Sequence, residues 1–383
     1  MSALIPHGID RLNARLRGRF ERLLAAADIT IDGGRPWDIQ VHDQRVLLRV
    51  LLDRSVGLGD SYIDGWWDCD DLDEFIYRLL TLRREASFGL DLSRYGVDWL
   101  ARMRNRQSRA RATIVAKHHY DLPSDFYTTF LDPYNQYTCG YFKDTDELDR
   151  AQEAKLDLIC RKLQLRPGQR VLDIGCGWGG FARFAAERYG VHVTGITISD
   201  EQLAYAREFT RGLDVTLLKR DYRAMTGRFD KVLVCGMIEH VGHKNYRSLM
   251  QVAHRCLAPE GLFLLHTIGN PVSVRAIDPW LDKHIFPNAT LPSMKQLAEA
   301  SEGLFVIEDM HNFRAYYVPT LRAWYRNFDA AWPRLAQRYD QRFYRTWRYY
   351  FLFCAGIFRA GNAQLWQLVF AKDRARGPYL AVR

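Results

Sequence analysis

Ten residues, Val171 to Gly180 (Val-Leu-Asp-Ile-Gly-Cys-Gly-Trp-Gly-Gly), carry the spacing with the clearest chemical meaning in this chain. An apolar, β-branched run from Arg170 to Ile174 breaks into glycines at Gly175, Gly177 and Gly179, and Phe181 to Tyr189 resumes with helical spacing. Glycines let a backbone approach a ligand where any Cβ would collide. Strand, glycine turn and helix in that order describe a nucleotide-type cofactor site at the edge of a parallel sheet. A dinucleotide calls for Gly-x-Gly-x-x-Gly and a helix N-terminus aimed at pyrophosphate. Here the order is Asp173-x-Gly175-Cys176-Gly177-x-Gly179, with a carboxylate ahead of the turn. An adenosyl sulfonium is cationic and carries no phosphate, so the turn suits S-adenosylmethionine better. A glycine pattern alone would mark only a tight turn; the carboxylate and the order of elements argue for the cofactor.

Other clusters fall where strands should end. Tyr137-Thr138-Cys139-Gly140-Tyr141-Phe142 precedes the glycine turn. Gly195-Ile196-Thr197-Ile198-Ser199, with Gln202 just beyond, follows the second strand. Gly236-Met237-Ile238-Glu239-His240-Val241-Gly242 follows the fourth, and His266-Thr267-Ile268-Gly269 ends the fifth. In an open parallel sheet, ligands sit outside the carboxyl ends of the strands, so the strand-end clusters should converge on one crevice. Glu239, flanked by apolar residues, is hard to explain without a ligand. His266 and His240 read equally well as satisfied core histidines.

The elements that must position these residues follow a Rossmann-like alternation. Strands are expected at 170–174, 191–196, 214–218, 230–235 and 261–267, with helical patterns between them. A helix from Glu147 to Leu165 leads into the first strand, and Gln364 to Ala371 reads as a final strand. Residues 271–317 read as a lid or loop insertion, and Arg322 to Arg359 as long aromatic-rich helices. Residues 1–125 show no βαβ rhythm and alternate short helices with turn-rich segments. They form a smaller, mainly helical N-terminal domain, associated with lipid or membrane, before a catalytic domain at 126–383. Within the first, Ile9 to Ala27 carries a helical apolar stripe with arginines opposite, fit for a membrane surface or for packing on the second domain. Gly57 to Trp67 reads as a compact turn-rich element with aromatic anchors.

Composition narrows the partners. The chain has 383 residues, is 48% hydrophobic and carries a net charge of +9. Arg102, Arg104, Arg106, Arg109, Arg111 and Lys117 form a run without an acidic residue, suited to an anionic phospholipid surface or a nucleic acid. The Asn-Pro-Pro-Tyr and paired-cysteine motifs of RNA methyltransferases are absent, so no nucleic-acid partner is expected. No segment approaches the roughly 20 apolar residues of a membrane span, and no signal peptide is visible. Seven scattered cysteines without a C-x-x-C point to the cytoplasm.

Taken with Asp278-Pro279-Trp280, Ile285-Phe286-Pro287-Asn288 and His311-Asn312-Phe313, these segments resemble the cyclopropane-fatty-acyl-phospholipid synthases over nearly the whole chain. The Gly57 to Cys69 element matches the long bacterial form. The resemblance implies an α/β, Rossmann-like class I S-adenosylmethionine-dependent methyltransferase fold. It also implies methylene addition across the cis double bond of an unsaturated acyl chain in a membrane phospholipid. Methyl transfer to the alkene would leave a carbocation, and a bound bicarbonate would remove the proton that lets the ring close. By position its holders would be Cys139, Glu239, His266, the backbone of Ile268, and Tyr317, with which its neighbour Tyr316 competes for the inward direction. Cys354 matches a cysteine to which the family assigns catalysis, though a buried cysteine is usually inert. Tyr137 and Thr138 match contacts to the methionine part of the cofactor, and Thr197 and Gln202 match ribose contacts. Asp221-Tyr222-Arg223 lies where the adenine should stack. The second strand usually ends in an acid that grips the ribose; here Thr197 stands there. Implied too are a cytoplasmic location, peripheral on the inner face of the cell membrane, and a homodimer as a candidate assembly. The rivals are methyl addition without ring closure and a catalytically silent lipid-binding protein.

Overall fold

The computed structural model describes residues 17–85, 122–372 and 377–383. The arginine run from Arg102 to Lys117, and the first half of the Ile9 to Ala27 stripe, lie outside the described residues. The N-terminal part contains helix α1 (17–25), strand β1 (Gln40–Val41), helix α2 (Arg45–Ile63), strand β2 (Trp67–Asp68) and helix α3 (Leu72–Glu85). A single turn, α4 (Ser124–Tyr127), and helix α5 (Leu148–Lys162) lead into the alternating region.

That region runs β3 (Arg170–Ile174), α6 (Gly180–Tyr189), β4 (His192–Thr197), α7 (Asp200–Phe209), β5 (Val215–Lys219), β6 (Phe229–Cys235), α8 (Tyr246–Cys256) and β7 (Leu257–Gly269). Then come α9 (Pro279–His284), α10 (Met294–Ser301), β8 (Val306–Asn312), α11 (Arg314–Leu335), α12 (Gln341–Arg359) and β9 (Gln364–Ala371). The sheet order is β5-β4-β3-β6-β7-β9-β8. The first five of these strands are parallel, and β9 is antiparallel to both β7 and β8. Val171, Leu172 and Ile174 of β3 are fully buried because helices cover both faces of the sheet. The chain leaves β3 toward β4 on one side and returns to β6 on the other. A crevice therefore opens beyond the carboxyl ends of β3 and β6, where Gly175 and Gly236 both take positive φ.

Two sequence readings need correction. Residues 271–317 are not a plain lid or loop: they contain α9, α10 and the sheet strand β8. Asp278 caps α9 by accepting from the N–H groups of Trp280 (2.9 Å) and Leu281 (3.4 Å), and Ser293 with Gln296 forms a capping box on α10. Both helices are short, and β8 is a half-exposed edge strand without a clean alternation, so periodicity alone could not show them. The Gly57 to Trp67 element is also not chiefly turn: Gly57 to Ile63 form the second half of α2, beyond a kink at Arg54 (φ 54°, ψ −121°). Its glycines serve close packing. A Cβ on Gly59 would lie 2.4 Å from the Trp280 ring, and one on Gly57 would lie 2.3 Å from the carbonyl oxygen of Arg49.

The N-terminal segment shares one apolar core with the C-terminal helices: Leu72, Phe75 and Ile76 belong with Tyr349, Phe351 and Phe353. Buried Asp73 accepts from Arg322 (2.6 Å) and Arg359 (3.0 Å), which ties α3 to α11 and α12. Asp60 of α2 accepts from Lys283 (2.5 Å) and bonds the His284 ring (2.7 Å), and Ser55 bonds Asp278 (2.6 Å). Thus α2 fixes α9 at both ends.

Candidate active site

Beyond β3 and β6 lies a cavity in which about 210 Å³ is open to the centre of a water molecule. The glycine turn forms one end. Gly175 and Cys176 donate to the Ile196 carbonyl of β4 (2.9 and 3.0 Å), which pins the turn to the sheet. Gly175 (φ +88°) faces Met237, whose side chain would lie 2.7 Å from an added Cβ. Gly177 (φ +53°) has no atom within 4 Å of that position, so its face is open toward the cavity it lines. Gly179 (φ +84°) instead packs on Ala206 and Thr210 of the α7 region, away from the lining.

Asp173 at the end of β3 lines the same cavity. Burial pushes its carboxyl up to about 7, opposed by the nearby Lys155 ammonium. Tyr137, Thr138 and Gln202 are also lining residues. Thr197 is not; its hydroxyl donates to Gln202 Oε1 (3.0 Å) and so orients that side chain. Asp221, Tyr222 and Arg223 form a capped 3₁₀ turn in which Asp221 Oδ1 accepts from the Arg223 N–H (2.9 Å), and none of them borders the cavity.

Glu239, His266, Ile268, Tyr317 and Cys354 line the same cavity. Glu239 Oε1 accepts from the Ile268 N–H at 2.7 Å. Its second oxygen is buried without a protein partner, and burial pushes the carboxyl up to about 7. The amide nitrogen of Gln367 lies 3.2 Å from His266 Nδ1. An amide nitrogen only donates, so Nδ1 accepts and the ring proton sits on Nε2, which has no protein partner. Burial, with Lys155 and Lys162 nearby, pushes His266 far down and keeps the imidazole neutral. Tyr317 faces the cavity and its hydroxyl is pushed up by burial, whereas Tyr316 packs edge-on against Tyr141 and Phe313. Cys139 stands behind the lining; its thiol donates to the Gly140 carbonyl (3.2 Å) and packs 3.7 Å from the Thr320 hydroxyl, whose proton goes to the Tyr316 carbonyl (2.7 Å). Cys354 borders the cavity as a protonated thiol, pushed up by burial.

The remaining walls are apolar and aromatic, formed by Ile277, Leu281, Phe286, Leu291, Ile357 and Phe358. The Tyr317 and Phe358 rings lie 4.4 Å apart. Sequence reasoning missed Tyr350, whose hydroxyl accepts from that of Tyr137 (3.0 Å). The signal was its place one helical turn before Cys354 on one face. Missed too was Lys155, which with Lys162 is one of two fully buried lysines of α5. Among the described residues no helix is long and apolar enough to cross a membrane, and no cluster could hold a metal ion.

A cavity that joins a glycine turn, apolar and aromatic walls and orphaned buried polar atoms fits group transfer to an apolar substrate. The family model of mycolic acid cyclopropane synthetase matches residues 107–368. The chain belongs to this family. It is 51% identical over 359 residues to the cyclopropane-fatty-acyl-phospholipid synthase of Escherichia coli strain K12, a match spanning 93% of each protein. The cyclopropane synthase MmaA2 from Mycobacterium tuberculosis has a similar structure, with a TM-score of 0.63 at 31% identity, over 68% of this chain and 98% of that one. Mycolic acid cyclopropane synthase CmaA1, complexed with SAH and CTAB, gives 0.62 at 30% identity, over 67% and 97%. The chain is thus an S-adenosylmethionine-dependent methyltransferase with the class I α/β fold.

Proposed function

We propose that this enzyme transfers a methylene group from S-adenosylmethionine to the cis double bond of unsaturated acyl chains in membrane phospholipids, forming a cyclopropane ring. The observation that carries the reading is the cavity itself: cofactor turn, apolar walls, then the unpartnered Glu239 Oε2 and His266 Nε2. An isolated alkene is a weak nucleophile, so it must be held against the sulfonium methyl in a near-attack geometry. The open face of Gly177 leaves room for the cofactor, and Asp173 offers its positive charge a carboxylate.

Methyl transfer leaves a carbocation on the acyl chain, which water would trap. Phe286, Phe358 and Ile357 exclude water, and the Tyr317 and Tyr350 ring faces stabilise the cation. A bicarbonate held beside Glu239 and His266 would supply the base for the final proton. Glu239, His266, Tyr317 and the Ile268 carbonyl would hold it, the Ile268 N–H being taken by Glu239. The neutral His266 Nε2–H and the Tyr317 hydroxyl would donate, and Glu239 Oε2 would accept or donate with its proton. Such a set suits a small oxyanion bearing one hydroxyl.

The enzyme docks peripherally on the inner face of the cell membrane, with the Arg102 to Lys117 run meeting anionic headgroups. Incubation with isotopically labelled S-adenosylmethionine and vesicles of monounsaturated phospholipid tests the reaction. The acyl chains should gain one CH₂, and proton NMR should show upfield ring protons. A methylene or methyl branch in their place would overturn ring closure, and no label in lipid would overturn the substrate.

A further inference from the structure

Lys155 is fully buried on α5, directly behind the loop that presents Tyr137 and Thr138. Its ammonium donates to Gln136 Oε1 (2.6 Å) and Thr138 Oγ1 (2.8 Å). Gln152, one turn earlier, donates to the Thr138 carbonyl (2.8 Å). Gln136 in turn donates to the Tyr134 carbonyl (3.0 Å). The loop presses on the first turn of α6 so closely that a Cβ on Gly180 would lie 1.9 Å from the Tyr134 oxygen and 2.3 Å from Gln136 Nε2. One ammonium thus fixes the loop that faces the glycine turn.

Burial pushes the Lys155 ammonium down, opposed by the acidic groups around it, because an unpaired buried cation is costly. The titratable groups around it are Asp132 and Cys139 of the same loop, Asp173 at the end of β3, Cys235 at the end of β6 and His266 on β7. Burial keeps both thiols protonated and the imidazole neutral. Asp132 lies outside the cavity lining and accepts from the backbone of Tyr134 and Gln136 (both 2.8 Å). Asp173 alone among these carboxylates faces the cofactor space.

We propose that Lys155 is a positioning residue of the cofactor site, its ammonium clamping Gln136 and Thr138 against the glycine turn and standing as the buried cation near Asp173 where S-adenosylmethionine would bind. This rests on the reading of that cavity as the cofactor site. Without Lys155 the carboxyl of Asp173 would hold its proton to higher pH, and the cationic cofactor would meet a neutral acid. Burial already lifts Asp173 to about 7, and the ammonium is the charge opposing that rise.

Calorimetry of S-adenosylmethionine binding to the full chain from about pH 6 to about pH 9 tests this. Wild-type affinity should rise with pH through the ionisation of Asp173. In Lys155→Met the rise should move up by about one pH unit or more, leaving binding near pH 7 about tenfold weaker and recovering as pH rises. Lys155→Arg should keep the wild-type profile. A ratio of variant to wild-type Kd that is constant across pH would reduce Lys155 to packing and overturn the proposal. Should Lys155→Met fail to fold, Lys155→Gln, which keeps a donor toward Gln136 and Thr138 without the charge, takes its place. The same upward move of the pH rise supports the proposal, and a constant ratio of Kd values overturns it. Failure of the wild type itself to bind S-adenosylmethionine would instead overturn the reading of the cavity.

Discussion

The carboxyl of Glu239 and the backbone of Ile268 form a 2.7 Å hydrogen bond that joins the 3₁₀ turn after β6 to the end of β7. That bond uses Oε1 and leaves Oε2 buried without a protein partner, beside a cavity that also holds the unpartnered His266 Nε2. A buried acid held this way serves a ligand better than it serves stability, since an unpaired buried oxygen destabilises the fold.

Glu239→Gln preserves Oε1 and its bond to Ile268 while removing the ionisable group. Turnover should fall about 10²-fold, S-adenosylmethionine affinity should stay near normal, and added bicarbonate should restore part of the rate. An equal loss in cofactor binding, read by calorimetry, would separate Glu239 from the oxyanion role.

The same substitution should change the pH dependence of stability. The carboxyl is raised from 4.5 to about 7 by burial, so the folded state holds its proton more tightly than the unfolded chain does. The stability that this supplies is complete below about pH 4.5 and is lost as pH rises through about 7. Glu239→Gln should therefore raise Tm relative to wild type at about pH 8, and the gain should shrink toward about pH 5. Thermal melts at the two pH values check the sign.

Gly175 and Gly177 should separate fold from binding. Gly175→Val places a branched side chain at φ +88° against Met237, so both Tm and cofactor affinity should drop. Gly177→Ala meets no protein atom, so its stability loss should be limited to about 1–2 kcal/mol of left-handed strain while cofactor affinity falls sharply. Calorimetry on the folded Gly177 variant is the measurement, and unchanged affinity would mean the cofactor lies elsewhere.

Cys354 has its thiol protonated by burial, and Asp278 nearby raises it further. Cys354→Ala should lower kcat by less than about tenfold, against the roughly 10²–10⁴-fold loss that follows removal of an acid or base. A larger loss with unchanged Tm would make the thiol catalytic.

Exchange of Arg104, Arg106 and Arg109 for glutamine should weaken binding to anionic vesicles by about 1 kcal/mol per residue and flatten its salt dependence. Activity on detergent-dispersed lipid should fall much less. Vesicle co-sedimentation across ionic strength distinguishes this from a packing role, in which Tm falls and salt sensitivity stays.

The local pattern determined much of this protein. Asp173 and the glycines after it prescribed a strand, a turn and a helix, because glycine takes without strain the left-handed turn that pins the backbone to β4. The alternation that follows prescribed the parallel sheet, and strand-end positions prescribed that Glu239 and His266 share a crevice. The partnering of side chains came only with the tertiary structure. Thr197 proved to orient Gln202 instead of lining the cavity, Cys139 turned its thiol to Thr320, and α11 chose Tyr317 over Tyr316 through the packing of Tyr316 on Tyr141. Lys155 looked like any helical lysine until the fold closed Gln136, Thr138 and Asp173 around it. Sequence spacing carries backbone geometry, which depends on near neighbours. The environment of a buried charge depends on residues far apart in the chain, and only the packed structure brings them together.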